Sequence, residues 1–377
     1  MRSTRALELA GDAVVSIRRS RISPLYTLSG AAVLVILLSC APWILSSANV
    51  SILQNFFILV IMATMWNLLA GYAGMVSIGQ QGFIGLGAYA TLYFALKGVN
   101  PFVAIPLAIV TVAAISVPIT YLLLRLRGGY FSVATWVVAD SALLLILSFT
   151  YLGGGTGAAL PGLVNLTPTQ LNHDRYFSTW IMALVVVIAT YLLLRSRLGL
   201  VLSSVRDNEV ASRSSGTKVT STRRMVYIVA AAGCAAAGAV LAISQPFIQP
   251  TNEFSLSWTA EMLFVTMIGG LGTIEGPILG SVIFIALQQW LQNWGAWYLI
   301  IFGAIAVAIA IWQPQGLWGT IRRRFNFELL PVGYRVLDSR QVSEATSSPF
   351  AALQRRREQR AAAKSTAQAV APSDQIH

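Results

Sequence analysis

Charged residues are scarce in this sequence. Of its 377 residues only 11% are Asp, Glu, Lys or Arg, whereas 56% are hydrophobic. A soluble globular domain carries roughly a quarter charged residues, so the composition excludes one that fills the chain. It also excludes an intrinsically disordered chain, which has too few apolar side chains to form a core. The composition predicts an all-α polytopic membrane protein.

Cysteine and histidine are almost absent. Cys40 and Cys234 both lie inside apolar runs, where a thiol behaves as a small buried hydrophobe rather than as half of a disulfide. His173 and His377 are far apart in sequence. We therefore expect no metal site, no cofactor and no Ser–His–Asp arrangement, and an intramembrane enzyme is poorly supported.

Lysine is also rare, since only Lys97, Lys218 and Lys364 occur. A phosphate-binding P-loop needs a lysine directly after its last glycine. The glycine run at 153–157 has none, so it is interpreted as a flexible external turn. The chain is expected to carry no ATPase site of its own.

Long apolar runs dominate the rest of the chain, and a helix needs about 20 such residues to cross a bilayer. With the N-terminus inside, Lys97 and Arg175 are the only basic residues in external loops, as the positive-inside rule requires. We predict about ten spans (8–10), some interrupted, with both termini cytoplasmic. The runs are 26–45, 50–70, 73–96, 101–124, 130–151, 176–194, 225–245, 257–268, 278–293 and 296–312.

Three regions follow from this pattern: a basic cytoplasmic N-terminus (1–25), a transmembrane domain (26–320) and a basic cytoplasmic tail (321–377). The net charge of +12 is concentrated outside the apolar runs, with no folded aromatic-bearing module that would indicate nucleic-acid binding. We expect the tail to be disordered. The alternative is a basic helix at 350–364 that lies on anionic membrane lipid.

Two glycine-rich segments, 71–87 and 269–280, differ from plain membrane helices. Glycine there permits either close helix packing or a broken helix beside a water-filled path. Acidic residues inside a span are costly and are functional candidates, and Asp140 is expected to face the bundle interior. Structural pairing and a transport role are both open for Asp140, and a structural role is favoured for Glu261. The candidate path residues are Gly79, Gln80, Gln81, Gly82, Asp140, Glu261 and Glu275.

The polar loop at 195–224 predicts a short helix at about 205–215. Residues 204–207 have the form of a capping box, and Gly216 suits the left-handed position that ends a helix. Glu209 and Arg213 are spaced to pair on one helix face. Such a helix could be only a surface element, or it could dock a soluble partner. The candidate docking residues are Arg206, Asp207, Asn208, Glu209, Arg213 and Gly216.

Five motifs occur in a characteristic order: GYAGMVSIGQQGFIGLGAYAT (71–91), RGGYFSVATWVVAD (127–140), GGGTGAALPGL (153–163), SRLGLVLSSVRDNEVASRSSGTKV (196–219) and GGLGTIEGPILG (269–280). Together they resemble the LivM-type permease subunit of high-affinity branched-chain amino-acid ABC importers. The resemblance covers about 50–320, nearly the whole membrane portion.

This resemblance implies half of a translocation pathway in a bacterial cell (inner) membrane. It implies a second, LivH-like permease, two ATP-binding subunits and an extracytoplasmic solute-binding protein as partners. Relatives of this subunit also serve urea and amides, so the substrate stays open. A self-sufficient secondary transporter with Asp140 as its coupling-ion residue is one alternative. A membrane scaffold or receptor that uses the basic tail is another.

Overall fold

The computed structural model describes residues 16–19, 35–162, 167–207, 209–214, 216–245, 247–291, 297–312, 316–325 and 334–337. It divides into two compact units. One comprises Met1–Ser23 with Pro331–His377, and the other is Pro24–Leu330. In the first unit the described residues form two antiparallel strands, β1 (Ser16–Arg19) and β4 (Tyr334–Leu337), with Ser16 opposite Leu337. Of the tail at 321–377, which was expected to be disordered, residues 321–325 end a helix and residues 334–337 form this strand, so the expectation is wrong there. The remainder of the tail lies outside the described residues, and its disorder stays a prediction.

The second unit is almost entirely helical, as the composition predicts. Each apolar run contains a helix because, in hydrocarbon, a helix satisfies every backbone N–H and C=O within its own segment. The helices are α1 (Val35–Ile44), α2 (Ser47–Asn67), α3 (Gln80–Leu96), α4 (Pro101–Leu123), α5 (Gly129–Ser148), α6 (Pro168–Arg195), α7 (Arg197–Asp207), α8 (Glu209–Ser214), α9 (Val219–Ser244), α10 (Pro250–Glu253), α11 (Leu256–Gly269), α12 (Glu275–Leu291), α13 (Trp297–Trp312) and α14 (Gly316–Phe325).

Five of the described helical segments are long and apolar enough to cross a membrane: Ser47–Tyr72, Pro101–Leu123, Gly129–Ser148, Pro168–Arg195 and Val219–Ser244. The chain is therefore a multi-pass membrane protein. The expected total of about ten spans and the cytoplasmic position of the termini stay predictions.

Helices α2 and α9 form the centre of this unit together with α3. In the most apolar stretch of each helix, 78% of the residues of α2 and 83% of those of α9 are buried. The corresponding share in α4, α5 and α6 is only 22–28%. Small residues allow α9 to approach α3 closely. A Cβ at Gly87 would overlap the carbonyl oxygen of Ala235, and one at Gly238 would overlap that of Ile84. Such small-residue contacts let membrane helices pack with their backbones near each other.

A small cap lies at one end of the helices. Residues Thr150–Leu152 form a 3₁₀ turn, and β2 (Ala158–Ala159) then pairs antiparallel with β3 (Phe247–Ile248). The glycine run at 153–157 makes the turn into β2. Gly153, Gly154 and Gly157 all have positive φ angles, which favour glycine. The run is thus a structured turn of this cap.

Candidate functional site

The first glycine-rich segment interrupts the chain between two helices. After α2, residues Leu68–Tyr72 form a π-helical turn, and α3 begins only at Gln80. Gly74, within the break, has φ +66°, in the left-handed region. The expected interruption is therefore present, and it lies between α2 and α3.

Glycines at the start of α3 pack directly against α5. A Cβ at Gly79 would overlap the carbonyl oxygen of Thr135, and one at Gly82 would lie 2.8 Å from Ala139 Cα and Cβ. The Thr135 hydroxyl accepts a hydrogen bond of 3.1 Å from the backbone N–H of Ile78. The close-packing role of glycine thus operates here in addition to the break.

Gln80 and Gln81 are fully buried and connect α3 to two other helices. Gln80 donates to the Ser77 hydroxyl at 3.2 Å and accepts from the Cys234 thiol of α9 at 3.3 Å. Gln81 accepts from the Thr259 hydroxyl of α11 at 2.5 Å. Its Nε2 is buried without a hydrogen-bond partner. These amides therefore lie in the interior of this chain, between α3, α9 and α11.

The second glycine-rich segment meets the first through Asn67, the last residue of α2. Asn67 Nδ2 donates to the Thr273 carbonyl at 2.7 Å, and Asn67 Oδ1 accepts from the Gly272 N–H at 2.8 Å. A Cβ at Gly71 would lie 2.6 Å from Gly272 N, so the two backbones touch. The two breaks, 68–79 and 270–274, thus form one junction, hereafter the glycine junction.

Arg206, near the end of α7, contacts both halves of this junction. Its Nη1 donates to the Gly71 carbonyl at 3.0 Å. The same nitrogen would be 3.1 Å from a Cβ at Gly272. The polar loop at 195–224 is therefore connected to the points where both membrane helices are broken.

The loop differs in detail from the expected helix at 205–215. Helix α7 already runs from Arg197 to Asp207, and α8 follows at Glu209. The capping-box interpretation was wrong, because Ser204 lies inside α7 and donates to the Val201 carbonyl at 2.8 Å. Gly216 does follow the end of α8 with φ +78°. Asn208 and the side chains of Asp207 and Glu209 lie outside what the structure describes, so the pairing of Glu209 with Arg213 stays a prediction.

The acidic candidates occupy three different settings. Asp140 is exposed on α5, which corrects the expectation that it faces the interior of this chain. The reason is helical periodicity, since its neighbour Ala139 takes the inward position against Gly82. Glu261 is partly buried in α11, and Glu275 is the first residue of α12 and also partly buried.

A further carboxyl group, Glu253 at the end of α10, is fully buried in the cap. Neither of its oxygens has a hydrogen-bond partner, and the buried hydroxyl of Tyr89 on α3 also lacks one. Burial raises the pKa of Glu253 from 4.5 to about 8, because the charged form is poorly solvated there. Burial therefore favours the neutral form of this carboxyl group.

Residues 49–310 match the family of branched-chain amino acid transport system permease components. The chain belongs to this family. The match includes both glycine-rich segments, the loop at 195–224 and Glu253, so the glycine junction lies inside the family domain.

Individual relatives agree with this assignment. The high-affinity branched-chain amino acid transport system permease protein LivM of Salmonella typhimurium is 27% identical over 306 residues, covering 73% of this chain and 71% of the relative. The probable branched-chain amino acid transport permease protein LivM of Methanocaldococcus jannaschii is 21% identical, covering 71% of this chain and 92% of the relative. The ribose import permease protein RbsC of Escherichia coli K12 is 29% identical over 138 residues, 35% of this chain and 43% of the relative.

As a family member, this chain is a transport permease subunit and not an enzyme.

Sequence reasoning missed two of its structural residues, Asn67 and Glu253. Asn67 carried a detectable signal, because it is an amide at the end of an apolar run directly before a glycine-rich segment. Glu253 had none, since it stands in a polar connection where an acidic residue is expected to be solvated.

Proposed function

We propose that this permease forms half of the translocation pathway of a bacterial ABC importer for branched-chain amino acids or a similar small polar solute. The family match and the names of its LivM relatives support the amino-acid class. Urea or an amide is the alternative substrate. The likeness to the ribose import permease RbsC favours keeping the solute class broad, because related membrane domains occur in importers named for chemically different solutes.

Energy for transport has to come from other subunits under this proposal, because no lysine follows a phosphate-binding loop in the sequence. The proposed partners are a second LivH-like permease, two ATP-binding subunits and an extracytoplasmic solute-binding protein. The permease would lie in the inner membrane with about ten spans and both termini in the cytoplasm. The distribution of basic residues supports that orientation.

The hydrogen bond from Arg206 to the Gly71 carbonyl is the observation that carries the coupling proposal. The loop 195–224, with Arg206, Asp207, Asn208, Glu209, Arg213 and Gly216, would receive the movement of the ATP-binding subunits. Arg206 would pass it to the glycine junction, where broken helices can shift without losing a continuous set of helical hydrogen bonds. A self-sufficient secondary transporter would not need such a connection.

The translocation path is proposed to run beside α3 and α5, with Gly79, Gln80, Gln81, Gly82, Asp140, Glu261 and Glu275 near it. The exposure of Asp140 in the middle of a span supports this choice. An aspartate facing lipid at the bilayer centre costs about 2.5–3.5 kcal/mol by insertion scales. Its surface is therefore better covered by the second permease or by water in the path between the two.

An uptake assay with purified subunits tests the proposal. The permease is reconstituted with its ATP-binding subunits, its second permease and its binding protein, and leucine and urea uptake are compared. Leucine uptake that requires ATP supports the proposal. Uptake that persists without ATP-binding subunits contradicts the importer class, and ATP-dependent uptake of urea alone contradicts the amino-acid substrate.

The variant Arg206→Ala tests the coupling step in the same system. A hydrogen bond from a charged donor contributes about 1.5–3 kcal/mol, so stimulation of ATP hydrolysis by loaded binding protein should fall by about tenfold or more. The ATP-binding subunits should still co-purify. Lys97→Ala is the control, because Lys97 is exposed, directly follows α3 and lies outside the loop 195–224. Unchanged stimulation in Arg206→Ala would contradict the coupling role.

A further inference from the structure

A cavity lies beside the first break of the glycine junction, at the ends of three candidate spans. Its walls come from residues 74–76 of that break, the α4–α5 connection, the first turn of α5, helix α8 and the start of α9, and its volume is about 720 Å³. Four arginines line it: Arg125, Arg127, Arg213 and Arg223. None of the described residues that line the cavity is acidic.

The exposed guanidinium groups of Arg125 and Arg127 give the cavity a positive potential, since concave walls of low dielectric constant concentrate the field of like charges. Arginine presents several N–H donors in a planar fork, which fits phosphate oxygens in two parallel hydrogen bonds. The first turn of α5 begins in the same wall at Gly128 and Gly129, so the partial positive charge of this helix N-terminus adds to the potential. The chemistry of the cavity therefore selects an anion with several oxygens.

The cavity's position narrows the source of that anion. It lies where Pro101–Leu123 ends and where Gly129–Ser148 and Val219–Ser244 begin. The ends of membrane helices lie at the depth of the lipid headgroups. Apolar side chains, including Leu124, Leu126 and Phe131, stand in the lining beside the arginines. A phospholipid combines both properties, since its phosphate is anionic and its glycerol backbone and acyl chains are apolar. Basic pockets between membrane helices are recognised sites for anionic headgroups.

We propose that this cavity binds the phosphate of an anionic phospholipid headgroup, with Arg125 and Arg127 as its principal ligands. The proposal does not depend on the transported solute or on the coupling role of Arg206. A bound lipid would join the α4–α5 connection to α8 and the start of α9. It would thus stabilise the loop 195–224 in a membrane with anionic lipid.

Native mass spectrometry of the importer complex, with whatever subunits it retains on purification, tests this binding. The complex is equilibrated with equal amounts of phosphatidylglycerol and phosphatidylcholine, and the retained lipids are counted. Each basic residue near an anionic lipid contributes about 1 kcal/mol, or roughly fivefold in binding, so the affinity of the double variant R125Q/R127Q for phosphatidylglycerol should fall roughly 25-fold. Phosphatidylcholine retention should not change.

The charge-matched control is R195Q/R197Q, which removes two exposed arginines that do not line the cavity. Loss of phosphatidylglycerol in R125Q/R127Q and its retention in the control supports the proposal. Equal retention in both double variants would overturn it. Binding of inorganic phosphate without binding of phosphatidylglycerol would assign the cavity to a free anion and overturn the lipid source. Exclusion of the lipid from the assembled complex, when the permease alone retains it, would assign the cavity to a protein interface and also overturn the proposal.

Discussion

Replacement of Glu253 by Gln tests whether a neutral carboxyl group is buried in the cap. Glu253 is fully buried and neither oxygen has a hydrogen-bond partner. Glutamine has nearly the same shape and cannot ionise. The variant should therefore fold normally and lose a pH dependence of stability that the natural permease shows.

The magnitude follows from the displaced pKa. A carboxyl group with a pKa of about 8 in the folded protein and 4.5 in the unfolded chain binds its proton more tightly when folded. Its contribution to stability is complete below the unfolded value and is lost as pH rises toward 8. Between pH 5.5 and pH 8.5 the loss is about 3 kcal/mol at most, since a tenfold change in acid dissociation is worth about 1.4 kcal/mol.

Thermal unfolding in detergent, followed by tryptophan fluorescence, measures this effect. Because about 1 kcal/mol corresponds to roughly 2 °C for a chain of this size, the Tm of the natural permease should fall by several degrees more than that of E253Q over this pH range. Asp174→Asn is the control, since it removes an exposed carboxylate from α6. Parallel pH profiles for E253Q and the natural permease would refute the burial of an unpartnered carboxyl group.

Three further predictions concern packing and topology. Asn67→Ala should lower the free energy of unfolding by about 2–4 kcal/mol, because it leaves the Gly272 N–H and the Thr273 carbonyl without their partner. An unchanged Tm would contradict the role of Asn67 in joining the two breaks. Gly79→Ala should lower the Tm, since its Cβ would overlap the Thr135 carbonyl oxygen, whereas a Cβ at Gly129 has no atom within 4 Å and Gly129→Ala is the control; equal Tm values would count against the α3–α5 contact. In a Cys40→Ser background, cysteines at positions 167 and 339 should label oppositely with an impermeant thiol reagent in intact cells, and equal labelling would contradict the orientation.

Composition and periodicity alone predicted most of the helical architecture. The apolar runs locate the helices because a chain in hydrocarbon has to satisfy its backbone hydrogen bonds within each segment. Glycine density predicted an interrupted helix within 71–87, since glycine adopts positive φ angles at little steric cost, and the structure confines the break to the part before Gln80. The family resemblance was based on the same glycine-rich motifs, and the family match over residues 49–310 confirms it.

The burial and contacts of individual side chains were harder to predict from the sequence. The sequence shows that α5 is apolar, but it does not show which side of α5 meets α3. Asp140 was therefore predicted to face the interior, whereas it is exposed. The start of α7 was also missed, because Arg197–Asp207 mixes apolar and polar residues like a connecting loop. Local patterns carry information about a segment and little about its neighbours.

What the sequence by itself determined is thus the class of the molecule: a multi-pass helical permease with glycine-broken helices and a polar loop between two spans. Only the tertiary structure decided that Asn67 joins the two glycine-rich segments, that Arg206 reaches their junction, and that Glu253 is buried. These contacts join residues far apart in the chain, as in the pairs Asn67–Gly272 and Arg206–Gly71. Local sequence encodes hydrogen bonding and burial along one helix, whereas contacts between helices depend on how all of them pack together.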